Sequence, residues 1–64
     1  LMDVLGTITT ELNSKVIQLQ DHLAAGRAQT FEEYRQICGE IKGLLFAKFY
    51  VTDLKRNLEN SDDE

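Results

Sequence analysis

The side chains that could perform covalent or acid–base chemistry in this chain are few and widely separated. Cys38 and Ser14 are nucleophilic, but a catalytic nucleophile needs an adjacent base, and the single histidine, His22, lies within one helical turn of neither. The carboxylates of Glu32 and Glu33 are predicted on a helix surface, without the concave site that acid–base catalysis requires. No cysteine–histidine cluster has the spacing of metal ligands. We therefore expect no enzymatic activity, no cofactor and no metal site.

The charge distribution argues against nucleic acid as a partner. The net charge is −4, but the segment 59–64 holds four of the eleven acidic groups, so the rest of the chain balances seven basic against seven acidic groups. The basic residues are dispersed, and Lys55-Arg56 is their single doublet. Because phosphate backbones are bound through many lysine and arginine contacts, we do not expect nucleic acid to be bound. We predict a folded region at 1–58 and an acidic flexible tail at 59–64.

The length of the chain limits it to one small domain, whose own core supplies little stability. A chain of 64 residues buries only about 60% of the surface that its unfolded form exposes. Such a core supplies roughly 3–5 kcal/mol. Cys38 is the one cysteine, so no internal disulfide can form. Association with another chain is the remaining source of stability.

Two amphipathic helices are predicted, at about 2–25 and 31–58. In the first, leucines recur every seven residues from Leu5 to Leu19, which is the spacing of a heptad seam. The second has one clear apolar face in its first half. No proline and no alternating strand pattern interrupts either segment, so the predicted fold class is all-α.

The segment between the helices has the residues expected of a tight connection. Gly26 can adopt the left-handed conformation that ends a helix. Thr30 and Glu33 have the spacing of a capping box, which begins the next helix. Because the link is only four or five residues long, the two helices must run antiparallel. The sequence thus predicts a two-helix hairpin, completed by oligomerisation or by docking into a helical bundle.

The two apolar stripes predict which residues form the core of the hairpin. Along the second helix the stripe passes from Ile41 to Leu44, Ala47 and Val51, and its two successive steps of three are expected to rotate it around the helix. The predicted core residues are Leu5, Leu12, Val16, Leu19, Leu23, Tyr34, Ile37, Ile41, Leu44, Val51 and Leu58.

A second apolar surface is predicted on the same helix. Residues 44–51 are apolar except for Lys48, and a helix that is apolar on all sides must be covered on several sides. The run is too short to span a membrane. Small residues four apart let another backbone approach closely, and aromatic side chains flank them. The predicted partner interface comprises Gly39, Gly43, Phe46, Ala47, Phe49 and Tyr50. Its partner is expected to be a second copy of the chain or a larger protein.

Residues 34–58 also carry a pattern of spaced residues, and an acidic segment follows it. The pattern is Tyr34-x4-Gly39-x-Ile41-x-Gly43-Leu44-x2-Ala47-x5-Asp53-Leu54-x3-Leu58. This pattern resembles small helical-hairpin proteins of the structural gene clusters of tailed bacteriophages. The resemblance implies a non-enzymatic structural or assembly role. The implied partner is a capsid or portal component, and the implied location is the virion or the bacterial host cytoplasm.

The overall organisation of the chain suggests two alternative functions. Its length, its hairpin, its acidic end and the position of Ile37-Cys38 resemble Rop-type plasmid copy-number regulators. That resemblance implies a homodimeric four-helix bundle that binds RNA, although Gly39 and Gly43 depart from the plan and Lys15 is the one basic residue of the first helix. The third hypothesis is a small inhibitor that docks a helix onto a host enzyme.

Overall fold

The computed structural model describes residues 2–62, with side chains for residues 4–60. Helix α1 spans Met2–Ala24 and helix α2 spans Phe31–Asp62. The short connection between them reverses the chain, so the helices pack side by side and antiparallel in a rod of 52 × 16 × 13 Å. The predicted all-α hairpin is confirmed. Over the described residues, neither helix combines the length and the apolar character needed to cross a membrane.

The end of α1 is built around Gly26, whose φ is 72°. The Gly26 N–H donates to the carbonyl of Leu23 at 3.0 Å, and the Arg27 N–H donates to the carbonyl of His22 at 3.2 Å. These two bonds form a Schellman motif, which satisfies carbonyl groups that the last helical turn leaves without partners. The predicted role of Gly26 as the helix terminator is confirmed.

The start of α2 is capped by Thr30. The Thr30 Oγ1 accepts a hydrogen bond from the Glu33 N–H at 3.0 Å, as the capping box requires. In return the Glu33 Oε2 accepts a bond from the N–H of Gln29 at 3.3 Å, one residue before the position that a capping box uses. The cap and the two acidic residues of the first turn, Glu32 and Glu33, both suit the positive end of the helix dipole.

The core of the hairpin is a narrow seam between the two helices. Among the described side chains, Val16 is 4% exposed and Ile37 is 7% exposed, and these two are the buried ones. The other predicted core residues that lie in the seam are only partly buried. They are Leu5, Leu12, Leu19, Leu23, Ile41, Leu44 and Val51.

Tyr34 and Leu58 do not belong to this core, which corrects the prediction at both positions. Each side chain is about half exposed. Leu58 lies near the end of α2, which has 32 residues against the 23 of α1, so the shorter helix does not reach it. Tyr34 lies in the first turn of α2, where its ring stacks on that of Phe31 with the centroids 6.2 Å apart.

The seam continues without rotation through the middle of α2. Lys48 follows Leu44 by four residues and precedes Val51 by three, and it is partly buried. Its Nζ donates a hydrogen bond to the Oδ1 of Asn13 on α1 at 3.0 Å. Position 48 therefore faces α1, and the predicted rotation of the stripe at Ala47 is wrong. A lysine can occupy such a position because its long aliphatic stem lets the ammonium group reach a polar partner at the edge.

Helix α2 extends four residues beyond its predicted end at Leu58. It continues to Asp62, so most of the segment 59–64, predicted as a flexible tail, is helical. Neither glycine nor proline follows Leu58, and the sequence therefore contains no strong terminator there. The remaining tail residues, Asp63 and Glu64, lie outside the described residues, as does Leu1.

Candidate interaction surface

Four of the predicted interface residues lie along one line on the outer side of α2. Gly39, Gly43, Phe46 and Tyr50 follow one another at steps of four, three and four residues, which places them on one helix face. Phe46 follows the buried Ile37 by about two and a half turns, so this face points away from α1. We call these four residues the glycine–aromatic strip.

The strip combines open space with exposed aromatic rings. A Cβ atom added at Gly39 or at Gly43 would meet nothing within 4 Å. The side chains of Phe46 and Tyr50 are each more than half exposed. Each mid-helix glycine costs about 1 kcal/mol relative to alanine, and no contact within the hairpin accounts for that cost. The strip thus offers two shallow depressions next to two large apolar side chains.

The remaining two predicted interface residues lie on opposite edges of the strip. Ala47 and Phe49 are two residues apart, so they point about 200° apart around the helix. Ala47 is partly buried, whereas Phe49 is more than half exposed and packs edge-on against Tyr50, with ring centroids 6.0 Å apart. One flat partner cannot cover both edges at once, and the six-residue interface stays a prediction.

A shallow groove on the Phe49 edge adds two residues that the sequence reasoning missed. Its volume is about 370 Å³, and Lys42, Leu45, Phe46 and Phe49 line it. The spacing of these residues, at i, i+3, i+4 and i+7, is that of one helix face and could have identified the set. Leu45 is exposed, so it does not belong to the seam with α1.

Several basic side chains of α2 are engaged within the hairpin. The Nη2 atom of Arg56 lies 3.5 Å from the Oδ1 of Asp53. The guanidinium carbon of Arg35 lies 5.9 Å from the centroid of the Phe31 ring, within the range of a cation–π contact. With Lys48 bonded to Asn13, these residues do not form a continuous basic surface.

The residues with chemical potential do not converge on one site. Cys38 is a free, partly buried thiol. It raises the pKa of the Tyr34 phenol, mainly through a hydrogen bond between the side chains and also through repulsion between their anionic forms. Tyr34 therefore stays protonated at neutral pH. Within the described part of the chain, no group of three histidine, cysteine or acidic residues could hold a metal ion.

Comparisons of this chain with models of protein families, with curated proteins and with solved structures find no match.

Proposed function

We propose that this protein is a non-enzymatic protein–protein interaction module, a helical hairpin that completes its core by packing against other helices. The observation that carries the proposal is the balance of buried and exposed apolar residues. Among the described side chains, two apolar residues are buried, while eleven large apolar or aromatic side chains are exposed. Four of these, Leu45, Phe46, Phe49 and Tyr50, lie next to one another on α2. Contiguous exposed apolar surface marks interaction sites.

The energetics of a two-helix unit support the same proposal. A domain of this size gains only about 3–5 kcal/mol from its core, and here that core is a single seam around Val16 and Ile37. Burying one large apolar side chain contributes about 1.5–3 kcal/mol. Covering a few of the exposed ones would add as much stability as the whole internal seam.

The proposed setting is a tailed-bacteriophage particle or its assembly. What supports this setting is the resemblance of residues 34–58 to small hairpin proteins of phage structural gene clusters. In that setting the hairpin packs against a second copy of itself or against a larger capsid or portal component, in the virion or in the cytoplasm of the bacterial host.

A Rop-like dimer that binds RNA is the second candidate, and the hairpin plan favours it. The positions of the basic groups favour a protein partner over RNA. Lys48 faces α1, Arg56 is paired with Asp53, and Arg35 lies over Phe31. Steep weakening of partner binding between low and moderate salt would indicate RNA, whereas an apolar contact would keep its strength. An inhibitor that docks onto a host enzyme would use the same apolar surface.

The experiment that tests the proposal measures solution mass by light scattering and helicity by circular dichroism over a dilution series. We expect either a helical oligomer of the 7.3 kDa chain that loses helicity on dilution, or a poorly helical monomer. Either outcome shows that the hairpin needs a partner. A fully helical monomer whose helicity does not change on dilution would refute the proposal, because the exposed surface would then need no cover.

A further inference from the structure

The glycine–aromatic strip has an internal symmetry that selects its partner. Gly43 and Phe46 are centred on the point between Leu44 and Leu45, and Gly39 and Tyr50 are centred on the same point. When two identical helices pack antiparallel about a two-fold axis at that point, each residue faces its counterpart across the centre. Each glycine of one helix would then face an aromatic side chain of the other.

We propose that the strip is a two-fold interface with a second copy of this chain, in which α2 packs antiparallel on α2. Phe46 of each copy occupies the open space above Gly43 of the other, and Tyr50 occupies the space above Gly39. This inference rests on the proposed function and names its partner. Helix α2 then has α1 on one side and the second α2 on the opposite side, so the strip is covered while the edge at Leu45 and Phe49 stays open.

The layers on either side of the strip agree with the same register. Beyond Gly39 and Tyr50, the pairs nearest the strip are Gln36 with Asp53, Arg35 with Leu54, and Glu32 with Asn57. In the antiparallel arrangement each carboxylate faces an amide, which can donate a hydrogen bond to it. The apolar contact therefore ends in a polar layer at both ends, as the rim of an interface does.

A parallel pairing of the same two helices is disfavoured by the same residues. Equal positions would then face each other, so Phe46 would meet Phe46 and Gly43 would meet Gly43. Asp53 would also face Asp53, and Glu32 would face Glu32. Bulky residues would be overpacked, empty space would remain at the glycines, and like charges would repel.

The exposed area of the chain suits a dimer. The hairpin exposes 5157 Å², whereas a folded monomer of 7.3 kDa is expected to expose about 4,200 Å². The excess of about 1,000 Å² is comparable with the roughly 800 Å² per partner that a standard stable interface buries. A second copy seated on α2 would bring the exposed area per chain to the level of an ordinary folded protein.

The test exchanges the aromatic residue and the glycine. Gly43→Phe places two aromatic rings in each central layer, and Phe46→Gly leaves two glycines there. The double variant restores one ring and one glycine per layer while keeping the amino-acid composition. Dimer dissociation constants are measured by analytical ultracentrifugation, with helicity recorded on the same samples.

We expect each single variant to raise the dissociation constant at least about tenfold, because overpacking or a cavity occurs twice per dimer. The double variant should return to within about tenfold of the original value. Gly6→Phe is the matched control, since a Cβ at Gly6 also meets nothing within 4 Å and position 6 lies on α1, outside the strip. Position 6 is partly buried but lies away from the strip, so Gly6→Phe should leave the dissociation constant within about threefold, as changes away from an interface usually do.

The possible failures separate this inference from the proposed function. If the original chain dimerises but the double variant does not recover its affinity, the proposed facing of Gly43 and Phe46 is wrong. If the original chain is a poorly helical monomer, the partner is not a second copy of this chain. Both outcomes leave the proposed function in place, with a different contact or a different protein as the partner. A fully helical monomer that is insensitive to dilution would overturn the inference and the proposed function together.

Discussion

Val16 provides the most direct test of where the stability of the hairpin resides. Its side chain is 4% exposed at the centre of the seam. Val16→Ala removes two methyl groups from that environment, and each carbon contributes about 0.8 kcal/mol of transfer free energy. The small cavity adds to the loss, whereas the better helix propensity of alanine returns at most about 0.5 kcal/mol. We expect a net loss of about 1.5–2 kcal/mol, a large part of the roughly 3–5 kcal/mol available to such a core.

The chain contains a matched control for this substitution. Val4 lies on the same helix but is 57% exposed, so Val4→Ala loses little burial and gains helix propensity. Thermal unfolding is followed by circular dichroism at one fixed protein concentration, because association shifts the midpoint. Val16→Ala should lower the midpoint by roughly 6–16 °C, and Val4→Ala should leave it unchanged or raise it slightly. Equal shifts for the two variants would show that the seam around Val16 is not the core of the hairpin.

Two further predictions concern the turn and the seam. Gly26→Ala should destabilise the hairpin by about 1–2 kcal/mol, because an alanine at φ 72° is sterically strained. Gly6→Ala, at an open helical position, should instead stabilise it by up to about 1 kcal/mol; urea unfolding measures both, and shifts of the same sign would contradict the left-handed assignment. Lys48→Leu should raise stability by about 1 kcal/mol in the same assay, because position 48 faces α1 and is only partly buried. Lys15→Leu, at an exposed site of α1, is its control, and equal effects at the two sites would mean that position 48 does not lie in the seam.

The local features of the hairpin could be predicted because each depends on a few neighbouring residues. Gly26 ends α1 because glycine adopts the left-handed conformation more easily than other residues do. Thr30 begins α2 because its side-chain oxygen accepts a hydrogen bond from the N–H of Glu33, three residues later. The predicted bounds of α1 and the predicted start of α2 agree with the structure within one residue. Helix α2 continues four residues past its expected end near Leu58, and Glu59 and Asn60 in that stretch are exposed. A helix end without glycine or proline depends on backbone hydrogen bonds more than on burial, so an apolar pattern does not locate it.

The two helices, their connection and their antiparallel order follow from the sequence, because periodicity, capping and a short link act locally. Which residues the second helix turns toward the first depends instead on how the two helices pack. A hydrophobicity pattern takes lysine as polar and exposed, so it could not show that Lys48 lies in the seam and reaches Asn13. It also could not separate the strip from its edges at Ala47 and Phe49, or show that Tyr34 and Leu58 are about half exposed. Those positions depend on where one helix axis lies against the other, which is set by packing between distant parts of the chain.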